Sequence, residues 1–313
     1  MILVTAAYGN QGQRLIPLLA SAGKQVRAMR RSGDLESLKA LGATEAIRGD
    51  ASDPADLARA MQNIETVYHI APSLHPCEQE MGLAVVDAAE SEGVRHLVFS
   101  SVLHAIESEL IQHRAKLAIE QRIIKSSINW TILQPTNYML PAWSTPVFET
   151  EVFRLWWSLD KRQSLIILDD YAEAAAKVIM EGSKHYGATY ELSSADCLTA
   201  HEIADRFAEI TGKPIKAEEV PAAEFFIKCR KHPLVEAKLA VGEAVTAEHF
   251  PANSKCSRRS ARATRNMTSS ATPTCSPGCW TGNLPRSNSI CGGNTPRSCR
   301  LPSGKPDGKV PSR

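Results

Sequence analysis

Six short strand-like runs recur in the first 133 residues, at 1–4, 25–29, 45–48, 66–70, 94–99 and 130–133, and helical spacing fills the gaps between them. Parallel strands need crossovers of a dozen or more residues, usually a helix. The alternation therefore predicts an α/β fold built on a doubly wound parallel sheet. A first helix is carried by Leu15, Leu18, Leu19 and Ala22, and others are expected at 34–41, 54–61, 78–92 and 109–125. Ser52 or Asp53 offers a cap for the third, and Gly93 closes the fourth. Pro17 removes a backbone hydrogen bond inside the first helix and should bend it, while the apolar spacing continues past it.

Beyond Pro135 the character changes. Prolines alternate with Trp143, Phe148, Phe153, Trp156 and Trp157, and an apolar run at 164–168 precedes helices at 171–181 and 200–211, the latter ended by Gly212. With strands at 188–192 and 215–220, residues 136–252 read as a smaller α/β lobe for a substrate or a partner, part of which returns to the sheet.

Net charge divides at the same scale. Residues 253–313 hold eleven Lys and Arg against the single acid Asp307, so this tail is +10 while residues 1–252 are −8. Its Ser, Pro, Thr, Gly and Arg content cannot bury enough apolar surface to offset chain entropy. Three readings fit it: a disordered extension, a basic nucleic-acid-binding arm, or a segment translated out of frame, which the abrupt change after Phe250 favours. Cys275, Cys279, Cys291 and Cys299 lack a second close pair, so no zinc site is expected there. Nor do the nine histidines converge at metal-ligand spacing. Scattered Cys77, Cys197 and Cys229, and a Met1 that leads straight into a strand pattern, suit a cytoplasmic protein without a secretory signal. The longest uncharged run, 126–148, carries Pro135, Pro141 and Pro146 and is not expected to span a membrane.

The chemistry points to the segment Thr5-Ala6-Ala7-Tyr8-Gly9-Asn10-Gln11-Gly12, between the first strand and the first helix. Such a turn lays a pyrophosphate on backbone N–H groups at a helix N-terminus, although Ala6 stands where a full glycine fingerprint has its first glycine. Residues 1–135 are accordingly expected to form a Rossmann-type dinucleotide-binding domain. Arg30 and Arg31 follow the second strand, where an NAD-preferring site has a carboxylate. A guanidinium there suits a ribose 2′-phosphate, by charge and by its bidentate fork. Asp50 follows the third strand, as an adenine acceptor or a plain helix cap. Ala71 after the fourth strand and Ser100 and Ser101 after the fifth fall where loops line a cofactor groove.

The turn, the Val26-Arg27-Ala28-Met29-Arg30-Arg31 segment, Gly49-Asp50 with Asp53, the Trp130-to-Met139 stretch, and Tyr190-Glu191-Leu192 with Leu198-Thr199 together resemble the NmrA-like family of atypical short-chain dehydrogenases/reductases. The resemblance spans about residues 1–250. It implies NADP(H) binding, with Gly9, Gly12 and Arg31 at the family's phosphate contacts, and Asn10, Gln11, Pro135 and Asn137 are further candidate cofactor-binding residues. In catalytic members of the superfamily a tyrosine four residues before a lysine donates the proton. Here Lys116 holds the lysine position and Gln112 the tyrosine position, and a glutamine cannot be that acid. Lys116 is either the candidate catalytic and ribose-holding residue or an exposed helix lysine, and His113 reads as a surface histidine. Tyr138 reads as a packed aromatic, with a hydroxyl role as the alternative. Two functions follow: an NADPH-dependent reductase of a small carbonyl or quinone compound, or a non-catalytic NADP(H)-sensing regulator that binds a partner protein. Nucleic acid enters only through the basic tail.

Overall fold

The computed structural model describes residues 1–220 apart from 74, 76 and 109. The tail at 253–313, its cysteines and the end of the second lobe lie outside the described residues. The elements run β1 (Ile2–Val4), α1 (Gly12–Ser21), β2 (Val26–Arg30), α2 (Glu36–Ala40), β3 (Glu45–Arg48), α3 (Pro54–Met61) and β4 (Thr66–Ile70). They continue as α4 (Glu78–Ser91), β5 (His96–Ser100), α5 (Ile111–Ile124), β6 (Asn129–Pro135), β7 (Asn137–Tyr138), α6 (Pro141–Thr150) and β8 (Val152–Leu155). Last come β9 (Leu165–Ile166), α7 (Leu168–Glu181), β10 (Ala188–Leu192), α8 (Ala200–Thr211) and β11 (Lys216–Glu219).

Seven strands form one parallel sheet in the order β10-β6-β5-β4-β1-β2-β3. The chain moves outward one way through β1, β2 and β3 and the other way from β4, so the order reverses between β1 and β4. Ligands of open α/β sheets bind in the crevice at the carboxyl ends of the strands at such a switch point. Side chains alternate across the sheet. Val4, Ala28, Tyr68, Val98 and Leu133 join α1 and α7 in one core, while Leu3, Met29, Val67, Leu97, Phe99 and Ile132 join α3, α4 and α5 in the other. Burial on both faces explains why the strands read as continuous apolar runs.

The fold class expected from the sequence is the one observed. Strand β10, from beyond Pro135, pairs with β6 and completes the sheet. A separate two-stranded pair, β8 with β11, packs with α8 around Phe153, Leu155, Ala200 and Ile203. Helix α1 continues through Pro17, Asp53 is the cap of α3, and Gly93 and Gly212 end their helices at φ +69° and +68°. Helix α7, expected from residue 171, already starts at Leu168, and α6 was not among the expected helices. The run at 164–168 yields only a two-residue strand, because Leu168 already starts α7, whose first turn uses Asp169 and Asp170 against the positive helix end. Helix α6 hides behind its prolines, yet Pro141 sits in the first turn where no N–H is needed. Among the described residues no helix is long and apolar enough to cross a membrane.

Candidate cofactor site

The turn after β1 is tightly wound. Ala6 adopts φ +45°, a left-handed conformation that costs an L-residue roughly 1–2 kcal/mol and that a glycine would take freely. The turn is held by the Gly9 N–H donating to the Ala6 carbonyl at 2.9 Å and the Ala7 N–H donating to Met29 at 3.0 Å. Gly12 then starts α1 directly against the chain: a Cβ there would lie 2.1 Å from the Ala7 carbonyl oxygen. Helix α1 has no side-chain cap and no acid in its first turn; the Gln13 and Arg14 N–H groups bond back to Gly9 and Gln11, while among the described residues the Asn10, Gln11 and Gly12 N–H groups have no acceptor and lie at the positive dipole end. This is a cradle for an anionic group.

At the end of β2 the two arginines part. Arg30 is 4% exposed, with its guanidinium 4.2 Å over the Tyr8 ring and its Nη1 donating to the Asp34 carbonyl and the Ser37 hydroxyl, both at 2.9 Å. Its Nε and Nη2 have no partner among the described residues. Gly33, at φ +90°, makes room for it, since a Cβ there would meet Nη2 at 2.2 Å. Arg31 is exposed. Burial pulls the Asp50 carboxyl upward, but hydrogen bonds from the Ser52 N–H and hydroxyl and the charges of Arg31 and His75 outweigh it and hold the acid below its ordinary range. Asp50 is not a helix cap; Asp53 fills that role, so the Asp50 carboxylate stays at the crevice end of β3.

At the ends of β4, β5 and β6 a buried hydroxyl cluster forms. The Tyr68 hydroxyl donates to Gln11 Oε1 at 2.9 Å and lies 3.2 Å from Tyr171, which donates to Ser100 at 2.7 Å. Gln11 Nε2 donates to the Tyr138 hydroxyl at 2.9 Å. Burial raises the pKa of all three tyrosines, so they are neutral phenols at physiological pH. Tyr138 packs edge-on to Tyr171 at 5.3 Å, the packed-aromatic role expected of it. The Gln11 carboxamide is turned inward, which leaves its backbone N–H for the cradle. Ala71 and Pro135 are buried beside these strand ends, and Asn10 and Asn137 are exposed.

On the other face of the sheet, Lys116 is 6% exposed, not a surface lysine, and its Nζ is 2.9 Å from Glu78 Oε1. Ser101 donates to the buried Glu120, which also accepts from Gln134 at 2.9 Å. His113 is half-buried rather than on the surface, because its part of α5 packs inward. Burial and the Lys116 charge depress His113 to about 4 and His69 to about 3, and burial with the nearby His185 depresses His96 to about 4. All three values lie below the ordinary 6.5, so the unfolded chain binds more protons than the native one as the pH falls. Their contribution is complete above that ordinary value and is lost toward the folded values. Urea unfolding should show stability falling from about pH 7 to about pH 5 by up to ~1.4 kcal/mol per unit for each histidine. A flat profile would mean that these imidazoles titrate normally in the native state.

Tyr68, Tyr171, Glu78 and His69 were not among the residues expected at the site. The available signal was a tyrosine and a histidine inside an otherwise apolar central strand, where buried polar groups require partners. Of the clustered aromatics, Phe148 and Phe153 pack on Phe207, while Trp143, Trp156 and Trp157 pack on one another. Among the described residues no group of His, Cys, Asp and Glu could hold a metal ion.

Known proteins resemble this chain in sequence and fold. Quinone oxidoreductase 2 of Escherichia coli is 29% identical over 232 residues, covering 72% of this chain and 79% of its own. A (4-alkanoyl-5-oxo-2,5-dihydrofuran-3-yl)methyl phosphate reductase of Streptomyces griseus is 28% identical over 260 residues, covering 77% of this chain and 90% of its own. The crystal structure of the NADPH-dependent quinone oxidoreductase of Escherichia coli complexed with NADPH superposes with a TM-score of 0.65 at 26% identity, over 85% of this chain and 95% of that one. The sequence profile of the NmrA-like family matches residues 1–256, which takes in every described strand and helix, and the chain belongs to that family.

Proposed function

We propose that this chain binds NADPH across the β1/β4 crevice and reduces a small carbonyl or quinone compound. The observation that carries the reading is the cradle at Gly12, where the uncapped amino end of α1 meets a turn with no room for a side chain, next to two arginines at the end of β2. Gly9 would shape the turn, the backbone N–H groups of Asn10, Gln11 and Gly12 would hold the pyrophosphate, Arg31 and Arg30 the 2′-phosphate, and Asp50 the adenine. Ala71, Ser100, Pro135 and Asn137 would line the nicotinamide end. Bound NADPH supplies a hydride, which is two electrons and a proton, and solvent supplies the second proton. The relatives named as a quinone oxidoreductase and a (4-alkanoyl-5-oxo-2,5-dihydrofuran-3-yl)methyl phosphate reductase support the reaction class.

NADPH oxidation with a panel of quinones and aldehydes tests the reading, and no turnover with any of them would overturn it. Replacing Arg31 with Ala should weaken NADPH binding by about 10- to 100-fold, the worth of a charge-assisted pair, with little effect on NADH. Equal loss for both cofactors would remove the 2′-phosphate argument.

One observation favours a second reading, a regulator that senses NADP(H) and binds a partner protein. Gln112 replaces the proton-donating tyrosine, and Lys116 is already engaged by Glu78. Partner capture that depends on NADP+ or NADPH, without turnover, would support it.

A further inference from the structure

The Gln11 carboxamide is gripped at both ends. Its Oε1 accepts from the Tyr68 hydroxyl and its Nε2 donates to the Tyr138 hydroxyl, each at 2.9 Å. Tyr68 is fully buried, and its hydroxyl lies 3.2 Å from that of Tyr171, which is 2.7 Å from Ser100. The turn that opens α1 is thereby fastened to β4, β5, β7 and α7, across 57 positions of chain to Tyr68 and 127 to Tyr138.

A primary amide out of water needs both a donor and an acceptor, and the two phenols supply one each, so this side chain has a single satisfied arrangement. Gln11 stands immediately before α1, at φ −74° and ψ −49°. Holding its side chain still therefore fixes the direction of the backbone N–H groups around it. Those of Asn10, Gln11 and Gly12 have no acceptor among the described residues. The turn has need of such a fastening, because Ala6 is left-handed at φ +45° and a strained backbone persists only where its surroundings over-determine it. Both Tyr138 and Tyr171 come from beyond Pro135. Tyr138 pairs with Ile166 of β9, α7 follows two residues later, and its Asp169 lies 3.0 Å from Arg14 of α1.

We propose that Tyr138 and Tyr68, acting through the Gln11 carboxamide, are positioning residues for the cofactor's pyrophosphate. This rests on the cofactor part of the reading above and adds to it, since neither phenol is given a contact with the cofactor. The bridge sets the direction of the Asn10, Gln11 and Gly12 N–H groups from the buried side of the turn. Without the Tyr138 hydroxyl, Nε2 has no acceptor and the amide turns outward to water. Its carbonyl oxygen then competes with phosphate for the same N–H groups. The effect belongs to the pyrophosphate, which NADPH and NADH share, and not to the 2′-phosphate.

Tyr138→Phe keeps the ring that packs on Tyr171 and removes only the hydroxyl. It should weaken NADPH and NADH by the same factor, about tenfold, as expected for one buried hydrogen bond. Binding of 2′-AMP, which has no pyrophosphate, should stay within about twofold. Gln11→Met, which has no amide, should show the same pattern, and Tyr138→Phe added to it should cost nothing more, because the bridge is already broken. Should Tyr138→Phe fail to fold, Gln11→Met carries the comparison of NADPH with 2′-AMP by itself. Isothermal titration calorimetry reads all three ligands on the full chain. Unchanged NADPH affinity in the single variants, equal losses for NADPH and 2′-AMP, or fully additive losses in the double variant overturns the proposal. Since binding is what is read, absence of turnover counts only against the reductase reading, whereas an unaltered chain that binds neither NADPH nor NADH overturns both.

Discussion

Gly12→Ala is expected to weaken NADPH binding at least ~100-fold and to destabilise the fold by about 1–3 kcal/mol. The new methyl carbon would fall 2.1 Å from the Ala7 carbonyl oxygen and 2.7 Å from its carbon, and both are backbone atoms that no rotamer change can move. Helix α1 must therefore shift away from the turn, and it carries the N–H groups of the cradle with it. A charge-assisted hydrogen bond contributes ~1.5–3 kcal/mol, so losing two accounts for the expected drop. Gly9→Ala is the internal control. Its Cβ would meet only the Ala6 carbonyl oxygen at 3.1 Å, which a few tenths of an ångström relieves, so its effect should be much smaller. NADPH fluorescence titration and denaturant unfolding read the two quantities, and near-normal affinity in Gly12→Ala would place the phosphates elsewhere.

The second large effect concerns the buried pair on α4 and α5. Glu78→Ala leaves the Lys116 ammonium, 6% exposed and 5.8 Å over the Phe99 ring, without the carboxylate now 2.9 Å away. Removing one partner of a buried ion pair typically costs about 3–5 kcal/mol, because the remaining charge has lost its water as well as its counter-ion. Replacing both, as Glu78→Leu with Lys116→Met, should recover most of that loss, since the desolvation penalty disappears with the charges. Chemical denaturation of the single and double variants decides the point; a double variant as unstable as Glu78→Ala would contradict it. The same protein separates two roles of Lys116. If the stable double variant still oxidises NADPH at the rate of the unaltered chain, the ammonium acts only in the fold.

Much of this fold was legible because its signals are local. Strands buried on both faces announce themselves as short apolar runs, and Gly93, Gly212 and Asp53 end or begin helices through their own backbone or side-chain geometry. Helix α6 was illegible for an equally local reason: its prolines carry the opposite statistical message, Pro141 being tolerated in the first turn while Pro146 lies inside the helix. The site divides in the same way. The glycine turn, the arginine pair and Asp50 lie beside strand ends, so topology alone brings them to one crevice. The state of Lys116 was not legible, since a lysine four residues from a glutamine looks the same whether the helix face is wet or dry.

From the sequence alone came the alternation that forces a parallel sheet, the turn that opens α1, and the absence of a tyrosine at Gln112. Each is written within a few residues, through side-chain period or backbone freedom. The partners of the buried polar groups were decided only in three dimensions. Gln11 finds Tyr138 across 127 positions of chain, Tyr68 finds Tyr171 across 103, and Lys116 finds Glu78 on a neighbouring helix. A buried hydroxyl, amide or ammonium must be satisfied, but local pattern does not say by whom. That choice belongs to the packing of distant segments, which is also why five aromatics that look alike in sequence separate into a core around Phe207 and a corner of three tryptophans.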